Sequence, residues 1–361
     1  MTNAVLPLPL EVEQLTASWL GAALRQRYPG TEVTTAQLRD VILGTSTKIR
    51  IALQYNAAGH EAGLPPTLIV KGGFQDHSPL FGFMYESEMR SYRDVVLGLK
   101  LPINTPHCYF AARDPHSHQS IMILEDLTAK RVRFCRAQES LGFEEVSRFL
   151  DAQARYHAAH WDDAQLRDGG RLDWLMGPFD ESSTEYANRY LKPEVWAQYM
   201  ELPRGLAVPR RFRDVKRMGL ALDHLAEFHR SAPPCIAHGD THLGNLYIEA
   251  DGTPGFFDLQ IRRSCWFQDV TYHTVCALDV EDRREWEQPL LSYYLSRLSA
   301  YGVTQPPDFD QAWEAYRREI VYGLFIFLIN ETRFQTESTN TAYAMRFGAA
   351  ALDHRSFERL E

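Results

Sequence analysis

At 361 residues the chain is long enough for two domains, each with its own core, and 45% hydrophobic with 24% charged residues is ordinary for a globular protein. The formal net charge of −9 excludes a general nucleic-acid binder, which needs a basic footprint. It leaves room for a cationic substrate, although an acidic surface is more simply a solubility device. The five cysteines are scattered with no CxxC pair, which excludes a zinc site or disulfide framework of recognisable spacing and fits reduced, buried thiols in the cytoplasm. No basic, then apolar leader opens the chain, so no signal peptide is expected. The most apolar stretch, Val321 to Ile329, is far shorter than the roughly 20 residues of a membrane span.

In chain order, Pro9 to Tyr28 reads as an amphipathic helix with Leu15, Trp19, Leu20, Ala23 and Leu24 on one face. Gln37 to Leu43 and Lys48 to Tyr55 read as strands flanking the turn Gly44-Thr45-Ser46-Thr47. Asn56 to Pro66 reads as a loop, and Thr67 to Val70 as a strand that delivers Lys71. Phe83 to Leu99 has helical periodicity and carries Glu88. Cys108 to Arg113 and Ser120 to Leu124 read as strands, and Glu144 to Trp161 and Phe212 to Arg230 as helices. Aromatic-rich helices run on to the C-terminus. The pattern predicts an α+β chain: a β-rich lobe over residues 1–124 with an N-terminal helix, a hinge near Glu125, and a mostly helical lobe over 125–361. A cleft between two such lobes is a common place for a nucleotide.

The chemistry concentrates in His238-Gly239-Asp240-Thr241-His242-Leu243-Gly244-Asn245, followed by Phe257-Asp258. An Asp, an Asn five residues on and an Asp eighteen residues after the first are what phosphoryl transfer needs. Asp240 is the candidate general base for a substrate hydroxyl. Asn245 and Asp258 are candidate magnesium ligands, because Mg²⁺ takes oxygen ligands and needs few from the protein. His238 and His242 are four apart, but Gly239 and Gly244 argue against the helix that a zinc-binding H-E-x-x-H requires.

These residues, with Leu68-Ile69-Val70-Lys71-Gly72-Gly73-Phe74, Glu88-Met89-Arg90-Ser91-Tyr92 and Ile123-Leu124-Glu125-Asp126-Leu127, resemble the aminoglycoside phosphotransferase and choline kinase group of small-molecule kinases. The chain is most similar to its ecdysteroid-kinase-like branch, where Tyr156-His157-Ala158-Ala159-His160-Trp161 also recurs; those two histidines read as core or capping groups. Two departures stand out from the protein-kinase signature: Gly239 replaces its Arg, and Leu259-Gln260 replace Phe-Gly after Asp258.

The resemblance implies a bilobal protein-kinase-like fold. Lys71 is then the strand lysine that pairs nucleotide phosphates, with Glu88 favoured over Glu86 as its partner. Gly44, Thr45, Ser46 and Thr47 form the phosphate-covering turn, to which Lys48 could add a contact. Backbone groups of Glu125, Asp126 and Leu127 read the base edge, with Tyr247 and Phe257 as candidate walls. Asp269 and His238 brace the catalytic loop. The implied cofactors are Mg²⁺ and ATP, with GTP not excluded. The expected partners are a nucleotide and a small alcohol, with no nucleic acid and no membrane span; the protein is a monomer or homodimer.

For the acceptor, the C-terminal half offers Trp286, Tyr293, Tyr294, Trp313, Tyr316, Tyr322, Phe325, Phe327 and Phe334. An aromatic-lined site suits a bulky, mostly apolar alcohol, steroid-like or terpenoid-like, better than a polycationic sugar. The acidic run Asp279, Glu281, Asp282, Glu285, Glu287 reads as a solvated helix face. An aminoglycoside, a choline-like amine or a hydroxyacyl compound is the alternative acceptor, and a kinase-fold binding module without turnover is the alternative of another class.

Overall fold

The structure, a computed structural model, describes residues 6–361; the first five residues of the expected N-terminal lobe lie outside the described part. The chain divides into two compact units. One comprises the described residues to Leu101 with Thr105–Val132, the other Pro102–Asn104 with Arg133–Glu361.

The first unit is built on an antiparallel sheet of five strands in the order β1-β2-β3-β5-β4: β1 (Val33–Ile42), β2 (Thr47–Tyr55), β3 (Thr67–Gly72), β4 (Cys108–Arg113) and β5 (Ser120–Glu125). Alternation along β2 sends Thr47, Ile49, Ile51, Leu53 and Tyr55 inward, as a half-buried strand requires. Helix α1 (Ala17–Arg25) packs on β1 and β4 and completes the core. It starts later than the sequence predicts. Thr16 takes the amide of Trp19 (3.2 Å) as an N-cap, and Val12–Gln14 form a separate turn of tighter helix. The predicted loop Asn56 to Pro66 contains a short helix, α2 (Ala57–Glu61), because Asn56 caps the amide of Gly59 at 3.1 Å.

Helix α3 (Gly82–Arg90) continues into a wider i→i+5 winding over Ser91–Leu97 rather than one regular helix. At the change of winding the Ser91 hydroxyl bonds back to the Ser87 carbonyl (2.8 Å), which competes with regular helical pairing.

The second unit is mostly helical: α4 (Phe143–Ala159), α5 (Glu181–Tyr190), α6 (Pro193–Met200), α7 (Pro203–Leu206), α8 (Val215–Ser231), α9 (Trp266–Ala277), α10 (Val280–Ala300), α11 (Phe309–Ile329) and α12 (Glu337–His354). Its strands are short: β6 (Arg133–Phe134), β8 (Leu246–Ile248) and β9 (Pro254–Phe256) form one small sheet, and β7 (Cys235–Ala237) pairs with β10 (Arg262–Ser264). Every residue of α9 is buried, as expected for a helix with almost no charge around its circumference, and α4, α10, α11 and α12 all pack on it.

The acidic run at the start of α10 is solvated except at Glu287, which is buried with Arg283 (2.6 Å), the Tyr316 hydroxyl (3.1 Å) and His354 (2.9 Å). Helical spacing places Arg283 and Glu287 on one face, so a residue in an otherwise exposed run turns inward with its own counter-charge. Among the described residues no helix is long and apolar enough to cross a membrane.

Candidate active site

In the first unit, Lys71 lies on β3 opposite Lys48 of β2 and Met122 of β5. Its ammonium and the Glu88 carboxylate of α3 are 2.6 Å apart and both are buried. Glu86, two residues back and therefore on another side of the helix, pairs with Arg113 at 3.1 Å.

The turn Gly44 to Thr47 is tied down at three points. Tyr85 of α3 donates its hydroxyl to the Thr45 carbonyl, and the Gln75 amide donates to the Thr47 hydroxyl (3.1 Å) and, more weakly, to the Gly44 carbonyl (3.5 Å). With its carbonyls engaged from below, the turn keeps a fixed shape although it has a single glycine. Ser46 and Thr47 are buried, Gly44 and Thr45 half-buried.

After β5, the Asp126 carboxylate is occupied locally. It accepts from the Thr128 amide (3.1 Å) and hydroxyl (2.6 Å) and pairs with Arg50 (3.1 Å). Glu125 pairs with Lys130 (2.8 Å), and Leu127 is buried. Only backbone groups of this stretch could read a base.

In the second unit the strand–loop–strand stretch is held from beneath by one buried carboxylate, Asp269 of α9. It accepts the amides of His238 (2.7 Å) and Gly239 (2.9 Å), the Tyr156 hydroxyl (2.7 Å) and His157 Nε2 (3.2 Å). Its backbone carbonyl accepts the Thr241 hydroxyl (2.9 Å). Burial alone would raise its pKa, but these hydrogen bonds, His157 first, hold it down at about 2. His157 is a core residue, its Nδ1 taking the Tyr294 hydroxyl (2.8 Å), and His160 caps the end of α4 beside Asp163 (2.8 Å).

Gly239 has φ +84°, and a Cβ there would stand 2.6 Å from the Gln260 carbonyl oxygen. Only glycine allows both the left-handed turn and this approach, which is the physical reason Arg of the protein-kinase signature does not fit here. His238 Nδ1 accepts the Asp240 amide (3.2 Å), so its Nε2 carries the proton and donates to the Phe257 carbonyl (3.2 Å). Burial lowers its pKa.

Asp240 is half-exposed at the loop apex. Asn245 donates its side-chain amide to the Asp240 carboxylate and to the Asp240 carbonyl, both at 2.9 Å. That fixes the amide and turns its oxygen away from Asp240. Burial opposes ionisation of Asp240, but His242, His238 and Arg262 outweigh it and lower its pKa.

His242 is a feature of the site that spacing alone did not assign. Its Nδ1 accepts the Gly244 amide (2.9 Å), so its Nε2 carries the proton. That nitrogen stands 3.5 Å from Asp240 Oδ2 and 2.8 Å from the side-chain amide of Gln335. The Gln335 atom placed there is its amide nitrogen, while its oxygen has no hydrogen-bond partner; a protonated Nε2 needs an acceptor, so the amide is assigned the flipped orientation, oxygen toward the ring. The sequence signal was the cap position: His242 precedes the tight turn Leu243–Asn245 and accepts its amide.

The hairpin of β8 and β9 carries Asn245 and Phe257-Asp258 side by side at its open end, joined by the Phe257 amide on the Asn245 carbonyl (3.0 Å). Asp258 adopts a left-handed φ of +53°, uncommon for a non-glycine residue. Of the two candidate walls, Tyr247 is buried against Gly255, while Phe257 is half-exposed with Phe134 edge-on at 5.9 Å. Among the aromatic residues expected to line an acceptor site, Tyr294, Tyr316, Phe325 and Phe327 are core packing at 0–2% exposure. Two of the expected residues border the loop of Asp240: Tyr322 through its hydroxyl 3.5 Å from Arg262, and Phe327 with its ring 6.2 Å from that of His242.

No curated protein matches the chain in sequence. Among solved structures it resembles APH(2")-IIia in its GDP and kanamycin complex: TM-score 0.53, 8% identity, 92% of this chain and 98% of that one covered. It also resembles an ethanolamine kinase of Plasmodium vivax: TM-score 0.50, 10% identity, 89% of this chain and 83% of that one. At such identities the likeness shows the fold alone, a β-rich unit followed by a helical one. The family is shown by sequence: residues 45–302 match the ecdysteroid kinase-like family, and the chain belongs to that family of small-molecule kinases.

Proposed function

We propose that the protein transfers the γ-phosphoryl group of ATP to a hydroxyl of a small, largely apolar molecule, steroid-like or terpenoid-like. The observation that carries this reading is the Asp240–Asn245 pair: an ionised, half-exposed carboxylate oriented by an amide at 2.9 Å on a loop clamped to α9. In this reading Asp240 orients the acceptor hydroxyl and accepts its proton late. The hydroxyl oxygen bonds to the γ-phosphorus as the bond to the β–γ bridging oxygen breaks, giving the phosphate ester and ADP. The low pKa of Asp240 suits this role, because a loose transition state asks for a positioned acceptor rather than a strong base.

The residues fit a magnesium ion. Asn245 spends its N–H groups on Asp240, which leaves an amide oxygen for a hard cation, and Asp258 is a partly exposed carboxylate. Two protein ligands are enough for Mg²⁺ where nucleotide phosphates and waters complete the shell. When bound, Mg²⁺ would neutralise phosphate charge. Lys71, held by Glu88, would add a further contact to the nucleotide phosphates, and Gly44 to Thr47 backbone amides to the phosphate oxygens. The five buried, unpaired thiols suit a reducing cytoplasm.

The test is turnover with Mg²⁺ and either ATP or GTP over sterols, terpenoid alcohols, aminoglycosides, choline-like amines and hydroxyacyl thioesters, with mass detection of phosphoryl gain. Phosphorylation of an apolar alcohol is expected. Exclusive use of an aminoglycoside or amine would overturn the substrate class, and nucleotide binding without transfer to any class would favour a binding module.

A further inference from the structure

Arg262 and Arg263 are neighbours on β10 with opposite surroundings. Arg263 faces two carboxylates, Asp180 at 3.3 Å and Asp168 at 3.5 Å. Among the described residues no carboxylate lies within 4.0 Å of the Arg262 guanidinium; its one side-chain hydrogen bond is a long one, to the Tyr322 hydroxyl of α11 at 3.5 Å. Glu319, the carboxylate one helical turn before Tyr322, is taken by His229 at 2.7 Å.

A half-buried guanidinium normally has a counter-charge, because desolvating it unpaired is costly. Arg262 instead stands beside the catalytic loop. It pairs through β10 with Ala237, three residues before Asp240. Its stem crosses Gly239 so closely that a Cβ there would meet Cδ at 2.8 Å and Cγ at 2.9 Å. The glycine thus seats the arginine as well as turning the loop. Asp240 is beyond ion-pair distance from the guanidinium, yet near enough for Arg262 to help keep it ionised. Tyr322 is itself buried among aromatic rings, with Phe179 at 5.9 Å and Tyr272 at 6.4 Å from its own ring.

We propose that Arg262 forms an anion-binding subsite beside Asp240, and that the acceptor is a hydroxylated, largely apolar molecule carrying a carboxylate or comparable anionic group. Arg262 and Tyr322 then bind the anion while the acceptor hydroxyl lies on Asp240. Planar, forked guanidinium donors suit a carboxylate, and the tyrosine hydroxyl supplies a further donor. The inference rests on the kinase reading and narrows its substrate.

The other source of anionic charge is the phosphoryl group in transfer, and the experiment separates the two. Wild type, Arg262→Gln and Arg262→Lys are assayed with MgATP on matched pairs of hydroxylated apolar acids and their methyl esters, bile acids and hydroxy fatty acids among them, by mass detection of the phosphate ester. MgATP affinity is measured in parallel by titration. Wild type should prefer an acid over its ester by roughly 10- to 100-fold in kcat/KM, the value of one or two charge-assisted hydrogen bonds. Arg262→Gln should collapse that ratio toward unity, mainly through KM for the acid, and Arg262→Lys should restore part of it. Equal use of acid and ester by the wild type, or an equal fall in kcat for both in Arg262→Gln, would overturn the proposal; the second result would assign Arg262 to the transferring phosphoryl group. MgATP binding with no acid in the panel phosphorylated would overturn the acceptor class and leave the kinase reading standing. Failure to bind MgATP would remove that reading itself.

Discussion

Four donors converge on Asp269, two of them the backbone amides that shape the loop before Asp240. An asparagine has one oxygen to offer and would aim an N–H group at the remaining donors. Asp269→Asn should therefore cost about 2–3 kcal/mol of stability. The sign of its pH dependence follows from the depressed pKa. An unfolded aspartate titrates near about 3.9, so the contribution is fully present above that value and is lost as pH falls toward about 2. Urea denaturation of wild type between about pH 4 and pH 2 should show a decline of about 2 kcal/mol from this group that Asp269→Asn lacks. Parallel pH profiles for the two proteins would contradict the bracing role. His242 belongs to the same scale. Its ring packs in the loop while placing a protonated nitrogen beside Asp240 and Gln335. No motif foretells that, because Gln335 is 93 residues away in the chain.

At the scale of elements, the hairpin of β8 and β9 sets the separation of Asn245 and Asp258. Its packing depends on Tyr247 lying over Gly255, where a Cβ would stand 2.1 Å from the ring. Gly255→Ala must displace either the ring or the strand, so it should cost about 1–3 kcal/mol and weaken Mg-nucleotide binding through Asp258. Because the clash is with one side chain, a cycle with Tyr247→Leu should be strongly non-additive; additive losses would show that the hairpin is held by something else. The elements also show what the sequence made legible. Strands with clear alternation, such as β2, and the strand–loop–strand stretch around Asp240 could be read directly. The late start of α1, the helix α2 and the wide winding after Ser91 could not. Each turns on one side chain, Thr16, Asn56 or Ser91, taking a backbone partner that periodicity does not register. The inward turn of Glu287 was hidden for a related reason: its partners Tyr316 and His354 come from distant helices.

Over the whole molecule, the family and the α+β fold were carried by motifs spread through the chain in the order a kinase needs them, each a local pattern. The acceptor was not legible. The aromatic residues that suggested it are mostly the core of the helical unit, and Arg262 gains meaning only when β10 is placed against β7 and α11 supplies Tyr322. The net charge of −9 says nothing about this position, since one unpaired guanidinium is invisible in a sum. The central claim is that Asp240 serves transfer rather than nucleotide binding. It is tested most directly by measuring, on the same Asp240→Asn protein, MgATP affinity by titration and phosphoryl transfer to the acceptor that wild type uses. Transfer should fall by at least about a hundredfold, the scale of a lost general base, with MgATP affinity within a few-fold of wild type. Near-normal transfer would contradict the account.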